Sequence, residues 1–261
     1  MRCLYLDLDG TLLGAAGAVT RDGDGAFSLL GLRALEACQR AGVLVVAMSG
    51  RPRGMLVGDA RLLGIHDYVF EAGAGFVLDG EVHWLGDADG GRRIADSGAV
   101  ELLVERFDGR LETDPQAREV SQLLRGLIDV SEADALLAEH GHTELRLVDN
   151  GRSYRHSPAL DALPAVHAYH LIPRSLSKAT AVAAHARARG LSREDRMAVG
   201  DSREDLQVAD VVGTMWLVAN AVEYDPALRH DLPRHPNARV AEAAHGAGVY
   251  EAVVTTLAER G

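Results

Sequence analysis

Along residues 1–78 the hydrophobic pattern switches back and forth between two periods. "RCLYLDLDG" alternates apolar and polar positions and then meets an Asp-Gly breaker, which predicts a strand ending near Asp7. "FSLLGLRALEACQRAG" sets Leu29, Leu32, Leu35 and Cys38 at near-helical spacing and stops at Gly42. "VLVVAMSG" is a continuous apolar run of strand length, as expected of a strand covered on both faces. "RPRGMLVGDARLLG" predicts a short helix opened by Pro52, and "HDYVFEAG" a third strand. The same alternation returns late in the chain. "SKATAVAAHARARG" reads as a helix, "DRMAVGD" as a strand, "SREDLQVAD" as a short helix, "GTMWLVAN" as a strand and "GVYEAVVTTLAERG" as a closing helix. Strands alternating with helices predict an α/β fold built on a parallel sheet wrapped by helices.

Residues 79–170 break the rhythm. "FVLDGEVHWL" predicts a hairpin turning on Asp79-Gly80, and "TELRLVDNGRSYRHS" one turning on Asn150-Gly151. Helical spacing is assigned to "AVELLVERF", "QAREVSQLLRGL" and "SEADALLAEHG", the last opened by a capping box of Ser131 with Asp134. The expected organisation is a core formed by 1–78 and 171–261, interrupted by an α+β module over 79–170.

Composition narrows the function. With 27 Lys and Arg against 38 Asp and Glu the chain carries a formal charge of −11, which argues against a nucleic-acid surface. The basic patches "GRRIA" and "RARG" read as solvated helix ends. The longest apolar run, "GVLVVAMSG", is far short of a membrane span, and with an acidic residue by position 7 and no apolar h-region before it, no export signal is expected in "MRCLYLDLDG". Cys3 and Cys38 are expected as buried free thiols, in keeping with a cytoplasmic setting.

Four stretches fall at the C-terminal ends of predicted strands or at the helix starts that follow, the edge where open α/β sheets bind ligands. In "DLDGTLL" two carboxylates, Asp7 and Asp9, leave a strand together. Such a pair can hold a hard divalent cation and still offer an oxygen as nucleophile, although Asp9-Gly10 also reads as a plain turn. In "AMSGRPRG" Ser49 and the backbone beyond it suit an anion at a helix N-terminus, or a simple N-cap. Lys178 is the chain's only lysine, and it stands in the first turn of a predicted helix capped by Ser177 or Ser175. The helix dipole mildly disfavours a cation there, and a lysine reaching out to solvent is the plain alternative. An anion held against the ammonium would reverse the sign. In "VGDSREDLQVAD" Asp201 ends a strand and Asp205 follows one turn on, where it could reach a metal or merely box with Ser202.

Taken together and in this order, Asp7-Leu8-Asp9-Gly10-Thr11, Ser49-Gly50-Arg51, Lys178 and Gly200-Asp201-Ser202 with Asp205 resemble the four motifs of the haloacid dehalogenase-like hydrolase superfamily. "FEAGAGFVLDGEV" is similar to the Asn-Gly-Ala segment of one branch, with Ala72 where Asn is common. "LVANAVEYDP" and "GAGVYEAV" resemble that branch's closing elements. The branch carries a large α/β cap between its second and third motifs and includes sucrose-phosphate, trehalose-phosphate, mannosyl-phosphoglycerate and phosphoglycolate phosphatases. The resemblance implies a Rossmann-like core with an inserted α+β cap, and Mg²⁺-dependent hydrolysis of a small phosphate ester. It gives Asp7 the part of nucleophile and Asp9 that of general acid and base. Asp7, the Asp9 carbonyl, Asp201 and Asp205 would hold Mg²⁺. Gly10, Thr11, Ser49, Gly50 and Lys178 would cradle the phosphoryl group. Two alternatives stay open: a phosphohexomutase with a similar core and cap, and a non-catalytic sensor of phosphorylated metabolites. Arg92, Arg93, Arg146, Arg155 and His156 are the cap residues expected to offer contacts to the rest of a substrate. His140 with His142, "LRHDLPRHPN" and "RDGDG" read as polar loops and a turn.

Overall fold

The computed structural model describes residues 1–153 and 155–260. Tyr154, inside the second predicted hairpin, and Gly261, after the closing helix, lie outside them. The first five strands, β1 (Cys3–Asp7), β2 (Leu44–Met48), β3 (Asp67–Phe70), β4 (Gly75–Leu78) and β5 (Glu81–Trp84), enter one large sheet. The next four, β6 (Leu111–Thr113), β7 (Gln122–Gly126), β8 (Leu145–Arg152) and β9 (His167–Pro173), form a second, antiparallel sheet. The last three, β10 (Arg196–Gly200), β11 (Thr214–Leu217) and β12 (Ala238–Val240), return to the first.

The large sheet runs β12-β11-β10-β1-β2-β3-β4-β5, parallel from β12 through β3 and antiparallel over β4 and β5. β1 is buried at every position, as its central place requires. Leu4 and Leu6 pack with Ala34, Cys38, Val249 and Ala252 on one face; Cys3 and Tyr5 pack with Ala181, Val182 and Ala186 on the other. Both cysteines are free and buried. The chain leaves β1 toward β2 and comes back on its other side as β10, so the C-terminal end of β1 is a topological switch point.

The second sheet sorts its side chains by strand parity. Leu124, Leu145, Leu147, Tyr169 and Leu171 pack against the helices Ala99–Arg106 and Val130–Glu139. Their sequence neighbours Leu123, Arg125, Ala168 and His170, with Asn150 of β8, line a cleft facing the large sheet.

Four local expectations change. Residues 116–127 were assigned helical spacing, but 122–126 form β7. Adjacent Leu123 and Leu124 are both buried because opposite faces of the strand are covered. Asn150-Gly151 is not a hairpin turn but a one-residue bulge inside β8, where Asp149 pairs Tyr169 and Arg152 pairs His167; Asp149 Oδ1 accepts the Gly151 N–H at 2.8 Å. The helix Val130–Glu139 is capped by Asp129, whose side chain accepts the Ser131 and Glu132 N–H groups, rather than by Ser131, and Asp134 accepts the Leu147 N–H at 2.8 Å. "LRHDLPRHPN" is not wholly loop: Leu228–Asp231 is a helical turn anchored by buried Leu228. The Asp79-Gly80 hairpin is present as β4–β5, and both strands belong to the large sheet. Among the described residues, no helix is long and apolar enough to cross a membrane.

Candidate active site

The four motif segments meet at the C-terminal edge of β1, β2 and β10. β1 delivers Asp7 opposite Met48 of β2, which sets Ser49 beside the Asp7–Leu8 peptide. Lys178 opens the helix Lys178–Ala188, whose N-cap Ser177 makes a capping box with Thr180. Lys178 is the first helical residue, and its N–H is taken by the buried Glu204 carboxylate at 3.2 Å. The ammonium turns inward, 1% exposed, and donates to Asp7 Oδ1 and to Asp205 Oδ1, each at 2.7 Å. Burial pushes its pKa down, but Asp205 and Asp7 more than offset this and leave it above the ordinary lysine value.

Asp205 does two jobs at once. Its Oδ2 accepts the Ser202 N–H at 3.1 Å and the Ser202 hydroxyl at 2.6 Å, while Oδ1 holds Lys178. The capping box read from the sequence is therefore real, and it orients the carboxylate toward the site. Asp201 accepts a hydrogen bond from Thr11 at 3.2 Å and lies close against Gly10. Gly10 has φ +81°, and a β-carbon there would sit 2.1 Å from Asp201 Oδ2, so both backbone and space require glycine.

Carboxylate oxygens of Asp7, Asp201 and Asp205 lie within 4.8 Å of one another. One ammonium cannot balance three carboxylates, and Asp7 Oδ2 is buried without a partner among the described residues. Burial, reinforced by Asp205 and only partly opposed by Lys178, pushes the Asp7 carboxyl up to about 7. Burial, with Asp7 and Asp205 beside it, carries Asp201 well above the carboxylate range. Crowded acids with one orphaned oxygen form a donor set that fits a small hard dication.

Asp9 stands apart from this cluster. Arg51 grips both of its oxygens, and Asp9 faces the cleft. Ser49 is buried, and its Oγ accepts the Arg51 N–H at 3.1 Å, which holds the loop rather than capping the next helix, where Pro52 is the N-cap. Gly50 lies directly against the second sheet: a β-carbon would meet His170 Nε2 at 2.7 Å and Asn150 Nδ2 at 2.8 Å.

The cleft between the sheets measures about 600 Å³ and joins Asp9, Gly10 and Asp201 to Arg118, Arg125, Asn150 and His170 of the inserted segment. Of the cap residues expected from sequence, Arg155 lines it. Arg146 instead ties the segment to the core through Glu204 at 3.0 Å and the Leu176 carbonyl at 2.8 Å. Arg93 pairs with Asp87, His156 pairs with Asp161 at 3.2 Å, and Arg92 is exposed. Sequence reading missed Arg118, Arg125, His170 and Glu71. Glu71 is fully buried at φ +49° and receives the N–H groups of Glu119, Val120 and Ser121. Ala72 follows at φ +54°, a left-handed conformation that Asn tolerates better than Ala. The resemblance to an Asn-Gly-Ala segment was the available signal.

No protein-family model matches the chain. It is 26% identical over 254 residues to a phosphoglycolate phosphatase of Methanothermobacter thermautotrophicus, covering 97% of both chains. It is 28% identical over 225 residues to one of Archaeoglobus fulgidus, covering 85% of each. Its fold matches a haloacid dehalogenase-like hydrolase from Bacteroides thetaiotaomicron with a TM-score of 0.63 at 17% identity, over 98% of this chain and 99% of that one. It also matches the sucrose-phosphatase of Synechocystis, with a TM-score of 0.66 at 15% identity over 98% of both. The motif order, the large sheet with its inserted second sheet and these likenesses converge: the chain is similar in sequence to phosphoglycolate phosphatases over most of its length, and it shares the fold of haloacid dehalogenase-like hydrolases.

Proposed function

We propose that the protein is a Mg²⁺-dependent phosphomonoesterase acting on a short phosphorylated hydroxy acid, with Asp7 as nucleophile. The observation that carries this reading is the Asp7 carboxylate, pinned by Lys178 through Oδ1 while Oδ2 stays without a partner at the edge of the acidic cluster. A carboxylate held by one oxygen and open at the other is posed to attack. Asp7, Asp201 and Asp205, with the Asp9 carbonyl, would hold Mg²⁺, which when bound neutralises charge on the phosphoryl oxygens.

In this scheme Lys178 fixes Asp7 and meets the incoming phosphoryl group from the other side. Thr11 steadies Asp201. Asp7 takes the phosphoryl group, the ester oxygen leaves with a proton from Asp9, and Asp9 then takes a proton from the water that releases phosphate from Asp7. The main-chain donors of Gly10 and Gly50 and the Ser49 hydroxyl are assigned to the phosphoryl cradle. We take residues 85–173 as the cap, since β5 belongs to the large sheet and β9 to the small one. A cap lying over the cleft favours compact substrates from which water can be excluded. Relatives that are phosphoglycolate phosphatases support a hydroxy-acid ester. Phosphate release from a panel of phosphorylated hydroxy acids, sugars and polyols, with Mg²⁺ and with chelator, tests the proposal. Mg²⁺-dependent release led by the hydroxy-acid esters supports it, and no release from any member overturns it.

A further inference from the structure

Arg118 puts a guanidinium into the cleft, and its hydrogen-bond acceptors are neutral. One Nη donates to the Gly50 carbonyl and the other to Gln116 Oε1 at 3.4 Å, while Nε is buried with no partner among the described residues. The nearby acids are engaged elsewhere. Glu71 Oε1 accepts from the Val120 N–H at 2.9 Å, the Ser121 N–H at 2.7 Å and the Ser121 hydroxyl at 2.8 Å; its Oε2 takes the Glu119 N–H at 3.2 Å. Asp114 holds Arg125 at 2.6 Å and the Gln116 N–H at 2.8 Å. Burial pushes the Arg118 pKa down to about 10, with Glu71 and Asp114 only partly opposing it. A guanidinium withdrawn from water is stabilised by an anion, and its planar fork matches a carboxylate in two parallel hydrogen bonds.

Position selects the kind of anion. Arg118 touches Gly50, and the next residue, Arg51, holds Asp9. One short loop thus spans from the reacting end of the cleft to Arg118, and a ligand bridging the two has only a short carbon chain. Building on the phosphatase reading above, we propose that Arg118 recognises the carboxylate of the hydroxy-acid phosphate, and that Glu71 is the positioning residue that fixes the 119–121 backbone beside it. Glu71 reaches this backbone from the core, so recognition in the cap is set by a core residue.

The test is binding in the presence of Mg²⁺, using two non-hydrolysable phosphonates: 3-phosphonopropionate, which carries the carboxylate, and propylphosphonate, which lacks it. Calorimetry on the wild type should show the carboxylate compound binding about tenfold or more tightly, as a charge-assisted pair implies. In Arg118→Ala that ratio should fall toward one, and in Arg118→Lys it should return in part, since an ammonium supplies charge without the fork. Glu71→Gln should lower the ratio with Arg118 intact. A wild-type ratio near one, or a ratio retained in Arg118→Ala, overturns the assignment. A role confined to bracing Gly50 would weaken both ligands equally and leave the ratio in place. Because the readout is selectivity in binding, a chain that binds selectively but releases no phosphate from any ester would contradict the phosphatase reading alone.

Discussion

Arg51 closes on both oxygens of Asp9, Nε to Oδ2 at 2.8 Å and Nη2 to Oδ1 at 2.5 Å, and is itself braced by Asp59 at 2.6 Å. The residue assigned as proton donor is thus paired with a guanidinium rather than pointing at the acidic cluster, and it can serve a leaving group only after that pair opens. A poor alkoxide leaving group needs the proton and an activated phenolate needs it far less. Asp9→Asn should therefore lower turnover of alkyl phosphates by about 10²–10⁴-fold and that of p-nitrophenyl phosphate by much less. Steady-state rates on the two esters check this, and equal losses would remove Asp9 from the proton-donor role.

Lys178 is the counter-charge to Asp7 and Asp205 in a fully buried setting. Lys178→Ala leaves two carboxylates facing each other without it, which should cost about 3–5 kcal/mol of stability. Mg²⁺ should restore part of that loss by supplying positive charge to the same acids. Chemical denaturation with and without Mg²⁺ measures both effects. An unchanged midpoint would contradict the buried triad.

Gly10→Ala tests how closely Asp201 is packed. The substitution forces a side chain into φ +81° and places its β-carbon against Asp201 Oδ2. The backbone cost alone is about 1–2 kcal/mol. Displacing Asp201 by a fraction of its present contact distance should lower kcat/KM by about 10²-fold. A variant with wild-type kinetics would show that Asp201 has no fixed position to lose.

His170 is buried in the second sheet, and burial, aided by Arg118, Lys178 and Arg125, lowers its pKa well below 6.5. The native state then keeps the ring neutral where the unfolded chain protonates it, so this residue makes stability fall as pH drops below 6.5. His170→Gln should flatten the loss between neutral and mildly acidic pH. Denaturation midpoints for both proteins across that window check it, and parallel curves would contradict it.

Much of the core was legible because β1 and its partners state their burial in the sequence. Short strand-length segments ending in Asp7, Ser49 and Asp201, the middle one a continuous apolar run, specify central parallel strands, and the solitary lysine marks the helix start that faces them. The cap was less legible for physical reasons. Leu123-Leu124 mimics a helical pattern because both faces of β7 are covered, and Asn150-Gly151 mimics a hairpin because a bulge and a turn ask for the same residues. Arg118 and Glu71 depend on contacts between segments 48 or more residues apart, seen where Glu71 receives Glu119 and Arg118 reaches Gly50. No local pattern encodes such a meeting.

Phosphate release by Asp7→Asn, assayed with Mg²⁺ on the best ester of the panel, tests the central claim most directly. The account predicts a folded protein, matching the wild type by circular dichroism, that retains ligand binding and yields no phosphate above background. Turnover by this variant at a rate comparable to the wild type would mean that some group other than the Asp7 carboxylate attacks phosphorus.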